Sequence, residues 1–440
     1  MSLFSRLRFS VYGSALLAAS GAVCIGISAE HARALPWQDS PKVVLDQAWQ
    51  LIDREYVDPT FNRQDWQAVR RELLSRNYGS NEEAYAALRS ALRRLDDPYT
   101  RFLAPEQFKT LTEQTAGEAS GIGIEIIPDS KDSRPRIQAI LDNSPASKGD
   151  VQVGDRILAI DADSTRELTL DEVRNRLQGK VGSEIDLKLQ RGDRIFSVKL
   201  TRVQIEIPSV TAELRQHSGR SVGYIQLREF TAHAAREMRT SIRSLDEQGA
   251  TSYVLDLRGN PGGLLYSSIE IARMWLNNGT IVKTVDRNGK SETINANNSA
   301  ITNKPLAVLV DQNSASSSEI LVGALKDNNR AVVIGRQTFG KALVQSVHTL
   351  ADGSGLAVTV AHYYTPNGTD LGNRGIQPDV EVRLNQRQQA LQRSDPSFLG
   401  SNQDPTYGQA IATLEQRTAE STPSPASSPQ LSQRPSEIRP

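Results

Sequence analysis

The sequence predicts an α/β multidomain protein: a helical domain first, a small β-rich domain second and an α/β domain last. Three observations predict it. Apolar residues recur at helical spacing over residues 42–103, alternate in short runs over 105–203, and form buried strand-like runs between helical stripes over 204–385. At 440 residues the chain is too long for one ordinary core. Lys plus Arg equals Asp plus Glu at 51 each, so no basic field points to nucleic acid.

Residues 1–34 are a different material. Arg6 and Arg8 precede an apolar run over 11–27, and Ala32-Arg33-Ala34 stands before Leu35. This is the pattern of an export signal, with cleavage expected after Ala34. A retained membrane anchor is the alternative, but the run is short and rich in Gly, Ala and Ser. A lipoprotein reading of Cys24 is disfavoured by Val23, where a small residue is expected. Cleavage would remove the only cysteine, and with it any disulfide, thiol nucleophile or cysteine metal site. The mature chain would be exported and near neutral.

Within the helical domain, residues 35–104, Val44, Ala48, Leu51 and Ile52 line a first helix and residues 66–74 form a second. A third opens on the capping-box sequence Ser80-Asn81-Glu82-Glu83 and carries Ala84, Leu88, Ala91, Leu92 and Leu95 on one stripe. LDDPYTRFL, residues 95–103, breaks that helix at Pro98.

Residues 105–203 read as short strands with one helix. GIGIEII (121–127) is a strand entered through a Gly-x-Gly loop, and RIQAIL and DRILAID follow as strands. Leu170, Val173 and Leu177 share one face of a helix, and EIDLKLQR and IFSVKL close the domain as strands. The segment SPASKGDVQVGDRILAID resembles a PDZ domain, in which an added peptide strand ends with its carboxylate on the N–H groups of the glycine loop. That loop is Gly121, Ile122, Gly123 and Ile124. A dinucleotide-binding reading fails, because Gly121-Ile122-Gly123 lacks a third glycine and leads into a strand.

In 204–385, SVGYIQL is a strand and AAREMRTSIRSLDEQ a helix, and YVLDLRGNPGGLLYSSIEIARMWL reads as strand, Gly-rich turn and helix. TIVKTV and SETINA pair through an Asn288-Gly289 hairpin turn. LAVLVD is a buried strand, and ALVQSV and GLAVTVAHYYT are strand-like. Residues 386–440 turn Gln-rich and then Pro/Ser-rich, a composition that predicts a disordered tail.

The chemistry concentrates in residues 313–341. LAVLVD followed by QNSA and a helix from about Ser317 puts serines at a strand-to-helix turn, where unpaired N–H groups and the helix dipole favour developing negative charge. Taken alone, Asn313, Ser314 and Ser316 could merely cap the helix. Lysine acts as a base only if burial lowers its pKa by several units from about 10.4. Phe339, Leu343 and Val344 offer Lys341 apolar neighbours for that purpose. Glu319, three residues after Ser316, is placed to orient the lysine or to bind a polar part of the substrate.

Taken in order, LDDPYTRFL, the PDZ-like segment, DLRGNPGG, SASSSE, FGK and DGSGLAVTVAHYYTPNG before GIQPDV resemble the C-terminal processing (tail-specific) serine peptidases. The resemblance covers nearly all of the mature chain except the tail. It implies a catalytic core related to the Clp protease and crotonase fold, with an inserted PDZ domain. It selects Ser316 as nucleophile among Ser314, Ser316, Ser317 and Ser318, matches Lys341 to the general base and gives Glu319 the auxiliary glutamate position. It implies an oxyanion hole from backbone N–H groups of Gly262 or Gly263 and of Ser317. It also implies no cofactor or metal, a protein substrate with a free, flexible C-terminus, contact with membranes only through substrates, and a monomer. KDNNRAV and HYYTPNG look closer to the cyanobacterial and plant-like branch, which matures a photosystem II reaction-centre precursor, than to general periplasmic tail-specific proteases. Two departures stand out: Ser317 where Ala is common, and Ala342 where Gly is frequent.

Rival motifs fail on context. GRQTFGKA (335–342) fits a phosphate-binding loop through Lys341, but Ala342 replaces the magnesium-binding Ser/Thr and a strand follows. GRSVG (219–223) fits an esterase elbow, but Ser221 opens a strand. His217, His233, His348 and His362 stand in no motif. The rival from another class is a PDZ adaptor whose peptidase domain has lost catalysis.

Overall fold

In a computed structural model the described residues are 40–129, 134–217 and 219–420, so the export signal expected over 1–34 lies outside them, as do residues 421–440. Among the described residues no helix is long and apolar enough to cross a membrane. The chain forms two compact units, each assembled from three separate stretches. One takes the described residues up to Ile207, Thr280–Asn295 and Ala342–Gly372; the other takes Pro208–Gly279, Ala296–Lys341 and the described residues from Asn373. This differs from the contiguous domains expected, because strand pairing joins segments far apart in sequence.

The first unit begins with helices Pro41–Glu55, Trp66–Ser75 and Asn81–Leu92. Ser80 accepts from Glu83 N–H, while the Glu83 carboxylate reaches back to Gly79 N–H at 2.8 Å, one residue earlier than a capping box requires. The striped residues Val44, Ala48, Leu51, Ile52, Ala84, Leu88, Ala91 and Leu92 are all buried, together with Trp49 and Trp66. They pack on an antiparallel sheet ordered Arg101–Leu103, Gly355–Tyr364, Thr280–Asp286, Ser291–Asn295, with Leu343–Thr349 also on Gly355–Tyr364.

The PDZ region has a sheet ordered Ile124–Pro128, Pro135–Ile140, Arg156–Ile160, Glu184–Arg191, Arg194–Thr201. Helix Leu170–Leu177 sends Val173 and Leu177 into a core with Ile122, Ile137, Ile157 and Leu187. The sequence reading gave this region one helix, yet Pro105–Ala116 and the single turn Pro145–Lys148 are helical as well. Pro105–Ala116 buries no residue, so it shows no apolar stripe to read.

The second unit is a six-stranded sheet ordered Val210–His217, Arg220–Leu227, Ser252–Asp256, Leu306–Val310, Val332–Gly335, Val380–Glu381, parallel after its first pair. Ser252–Asp256 and Leu306–Val310 are buried along their whole length, as parallel strands covered on both faces must be.

The expected disordered tail needs correction from its first residue. Gln386–Ser394 and Pro405–Glu420 are helices, and Tyr407, Ala410 and Leu414 are buried against Tyr224, Val254, Leu309 and Val332 of the sheet. Gln-rich composition hid an apolar stripe that repeats every three to four residues.

Candidate active site

The strand Leu306–Val310 delivers the chain to Asp311, whose carboxylate bends it by accepting Asn313 N–H at 3.0 Å. Ser314 donates its hydroxyl to Leu257 O at 2.8 Å and is fully buried, so it is a structural serine. Ser318 is likewise buried, donating to Asn260 O at 3.0 Å. Ser316 stands between them, partly accessible, immediately before helix Ser317–Asp327. Its backbone is at φ 54°, ψ −114°, a left-handed conformation that a non-glycine residue adopts only under constraint.

The constraint is Glu319. Its buried carboxylate accepts four hydrogen bonds. Oε1 takes Thr338 Oγ1 at 2.6 Å and Gly340 N–H at 2.7 Å; Oε2 takes Ser316 N–H and Lys341 N–H, each at 2.9 Å. One oxygen thus brings the backbones of Ser316 and Lys341 together. Burial pushes the Glu319 pKa up, and the hydrogen bonds from Thr338, Lys341, Gly340 and Ser316 oppose that rise. The glutamate placed by sequence to orient the lysine side chain works on the backbone of both residues. Phe339, expected to help bury the lysine, is 55 % exposed.

The Gly-rich turn faces Ser316. A Cβ on Gly262 would lie 2.9 Å from Ser316 Cβ and 3.0 Å from Ser317 N, and one on Gly263 would meet Phe230 O at 2.5 Å. Both glycines also have positive φ, 108° and 131°. Gly262 N–H is already bonded to Asn260 Oδ1 at 2.9 Å, whereas the N–H groups of Gly263 and Ser317 have no acceptor among the described residues. Ser317 adds a link that alanine could not, its hydroxyl donating to Gly263 O at 2.8 Å.

Sequence reasoning missed Asn260. Fully buried, it bonds Leu227 O through Nδ2 at 2.8 Å, holds Gly262 N–H, and accepts Ala315 N–H at 3.0 Å on its carbonyl. It ties the Gly-rich turn to the serine loop, and its place inside DLRGNPGG was the available signal. Thr338 was missed for want of any motif around it.

In the PDZ region Ile122 is buried and its carbonyl accepts Ala146 N–H at 2.9 Å; Gly123, at φ 79°, accepts Leu141 N–H at 2.9 Å. Gly121 ends the strand Glu118–Gly121, paired with Val203, and Ile124 opens the strand Ile124–Pro128. With the carbonyls of Ile122 and Gly123 engaged, their N–H groups have no acceptor among the described residues.

Comparisons with known proteins identify the family. Residues 221–382 match the model of peptidase family S41 and residues 136–191 that of the PDZ domain. The chain is 43% identical over 389 residues to the carboxyl-terminal-processing protease of Picosynechococcus sp., covering 88% of this chain and 92% of that protein. It is 45% identical over 352 residues to the protein of the same name from Synechocystis sp., covering 79% and 82%. With the chloroplastic carboxyl-terminal-processing peptidase 2 of Arabidopsis thaliana it shares 39% identity over 373 residues, covering 82% and 71%. A PDZ region, an S41 core and this depth of identity across most of both chains place the protein among the carboxyl-terminal-processing serine peptidases of family S41.

Proposed function

We propose that Ser316 is the nucleophile and Lys341 the general base of a peptidase that removes C-terminal segments from exported proteins. The carrying observation is the Glu319 carboxylate, one of whose oxygens accepts from the backbones of both residues. Neutral Lys341 takes the Ser316 hydroxyl proton as Oγ attacks the scissile carbonyl. The N–H groups of Gly263 and Ser317 receive the developing oxyanion, an interaction worth about 10²–10³ in rate for each donor removed. The lysine ammonium protonates the departing amine, an ester remains on Ser316, and water activated by the neutral lysine hydrolyses it.

The substrate presents a free, flexible C-terminus as an added strand along Ile124–Pro128, its carboxylate on the loop Gly121, Ile122, Gly123 and Ile124. A photosystem II reaction-centre precursor as substrate and the lumen as workplace, reached through the segment ending at Ala34, follow from the branch resemblance of KDNNRAV and HYYTPNG, and similarity to carboxyl-terminal-processing proteases of cyanobacteria and a chloroplast is in keeping with it. The protein works as a monomer, without metal or cofactor.

Cleavage of a peptide with a free C-terminal carboxylate tests this reading. Ser316→Ala and Lys341→Ala should each abolish it, and amidating the peptide should raise KM. Activity of the unaltered enzyme should climb from acid toward alkaline pH as the base loses its proton. Retained cleavage in Ser316→Ala, or binding without cleavage by the native protein, would overturn it.

A further inference from the structure

The C-terminal segment does more than cover the sheet. Arg258, two residues before Asn260, is 6 % exposed, and its guanidinium is shared between two carboxylates. Nε and one terminal nitrogen donate to Asp256 at 2.6–3.1 Å; the terminal nitrogens donate to Asp404 Oδ1 at 3.0 Å and Oδ2 at 2.7 Å. Asp256 and Asp404 are 0% and 1% exposed. The same Asp404 carboxylate accepts Gly400 N–H at 2.8 Å and Thr406 N–H at 3.0 Å, and so opens the helix Pro405–Glu420.

Two further links run from this segment to the catalytic scaffold. Gln392 donates to Asp311 Oδ2 at 2.8 Å, and Asp311 Oδ1 holds Gly259 N–H at 3.0 Å. Arg215, from the first strand of the sheet, donates to Gly400 O. The stretch Arg258-Gly259-Asn260 that leads into Gly262 and Gly263 is therefore gripped from behind at both Arg258 and Asp311.

We propose that Asp404, seconded by Gln392, is a positioning residue for the peptidase reaction. Through Arg258 it fixes the Gly-rich turn, so that Gly263 N–H is aimed at the carbonyl that Ser316 attacks. The inference rests on the assignment of Ser316 and the Gly263 N–H made above. The charge balance of the cluster separates positioning from folding. Two carboxylates meet one guanidinium, so Asp404→Asn leaves a neutral buried Asp256–Arg258 pair and keeps a good helix cap, while breaking the two-pronged charged grip.

The experiment uses the full chain, a peptide substrate with a free C-terminus, a fluorophosphonate probe of the reactive serine, and thermal melting. In Asp404→Asn, kcat should fall about tenfold with KM within about twofold, because the lost alignment matters in the transition state rather than in binding. Probe labelling should slow in proportion, and Tm should hold within a few degrees. Gln392→Ala should show the same pattern more weakly. Wild-type kcat and labelling in Asp404→Asn, or a loss confined to KM, would overturn the inference. Ser316→Ala run alongside tells the two ideas apart: an inactive Ser316→Ala beside a fully active Asp404→Asn sinks this inference alone, while an active Ser316→Ala sinks both.

Discussion

Ser316 is held in a backbone conformation that only glycine adopts freely, and the cost of holding it falls on Glu319. Ser316→Gly should therefore be inactive yet more stable than Ser316→Ala by ~1 kcal/mol in chemical denaturation, since glycine relieves the strain and alanine does not. Glu319→Gln puts an amide nitrogen where four donors converge. At least one of those donors then loses its acceptor, at ~1–3 kcal/mol each, and Tm should drop. The same substitution lets Ser316 and Lys341 drift apart, so kcat should fall on the order of 10²-fold, read in steady-state kinetics. Burial raises the Glu319 pKa, so its proton arrives at a higher pH than on an exposed glutamate and displaces a donor, and activity should fail early on the acid side. At this scale the sequence spoke through resemblance: SASSSE and FGK singled out two segments that the Glu319 carboxylate joins, but no spacing rule could say that Glu319 binds backbone or that Gly262 N–H is already taken. Those depend on where two distant loops meet.

The helix Pro41–Glu55 and the strand Leu343–Thr349 are joined by an ion pair, His348 Nε2 to Glu55 Oε2 at 2.8 Å, with Ser346 Oγ 2.9 Å from the same nitrogen. Burial alone would raise the Glu55 pKa, but hydrogen bonds from His348 and Arg54 outweigh it and bring the carboxyl down to about 2. A carboxyl depressed on folding adds stability that is complete above its unfolded value near 4.5 and is lost as pH falls toward 2. Glu55→Gln should flatten the acid limb of a stability-versus-pH curve across that window, and the stability it removes should be largest above pH 4.5, where the native carboxylate contributes in full. Most elements with a buried face before residue 386 were legible as apolar patterns. The stripes of the first and third helices and the strands Ser252–Asp256 and Leu306–Val310 appeared in the sequence as they stand in the fold. The helix Pro105–Ala116 was not legible, because it buries nothing.

For the whole molecule the largest misreading was the end of the chain. Its Gln-rich start concealed the helix that seats Tyr407, Ala410 and Leu414, large apolar contacts worth about 1.5–3 kcal/mol each for the bigger side chains. Truncation after Asn385 should yield an insoluble or unfolded catalytic unit, as circular dichroism and cleavage assays would show. Composition records what a segment is made of, while most of its partner strands lie far back in the sequence, and only the fold brings them together. The interleaving of the two units carries a consequence for biosynthesis. The catalytic sheet gains its last strand at Val380–Glu381, and the grip on Arg258 needs Asp404. A chain made from its N-terminus cannot complete this sheet or the grip on Arg258 until nearly all of it has been synthesised, so the nascent peptidase stays harmless to its own unfolded segments while it is being made.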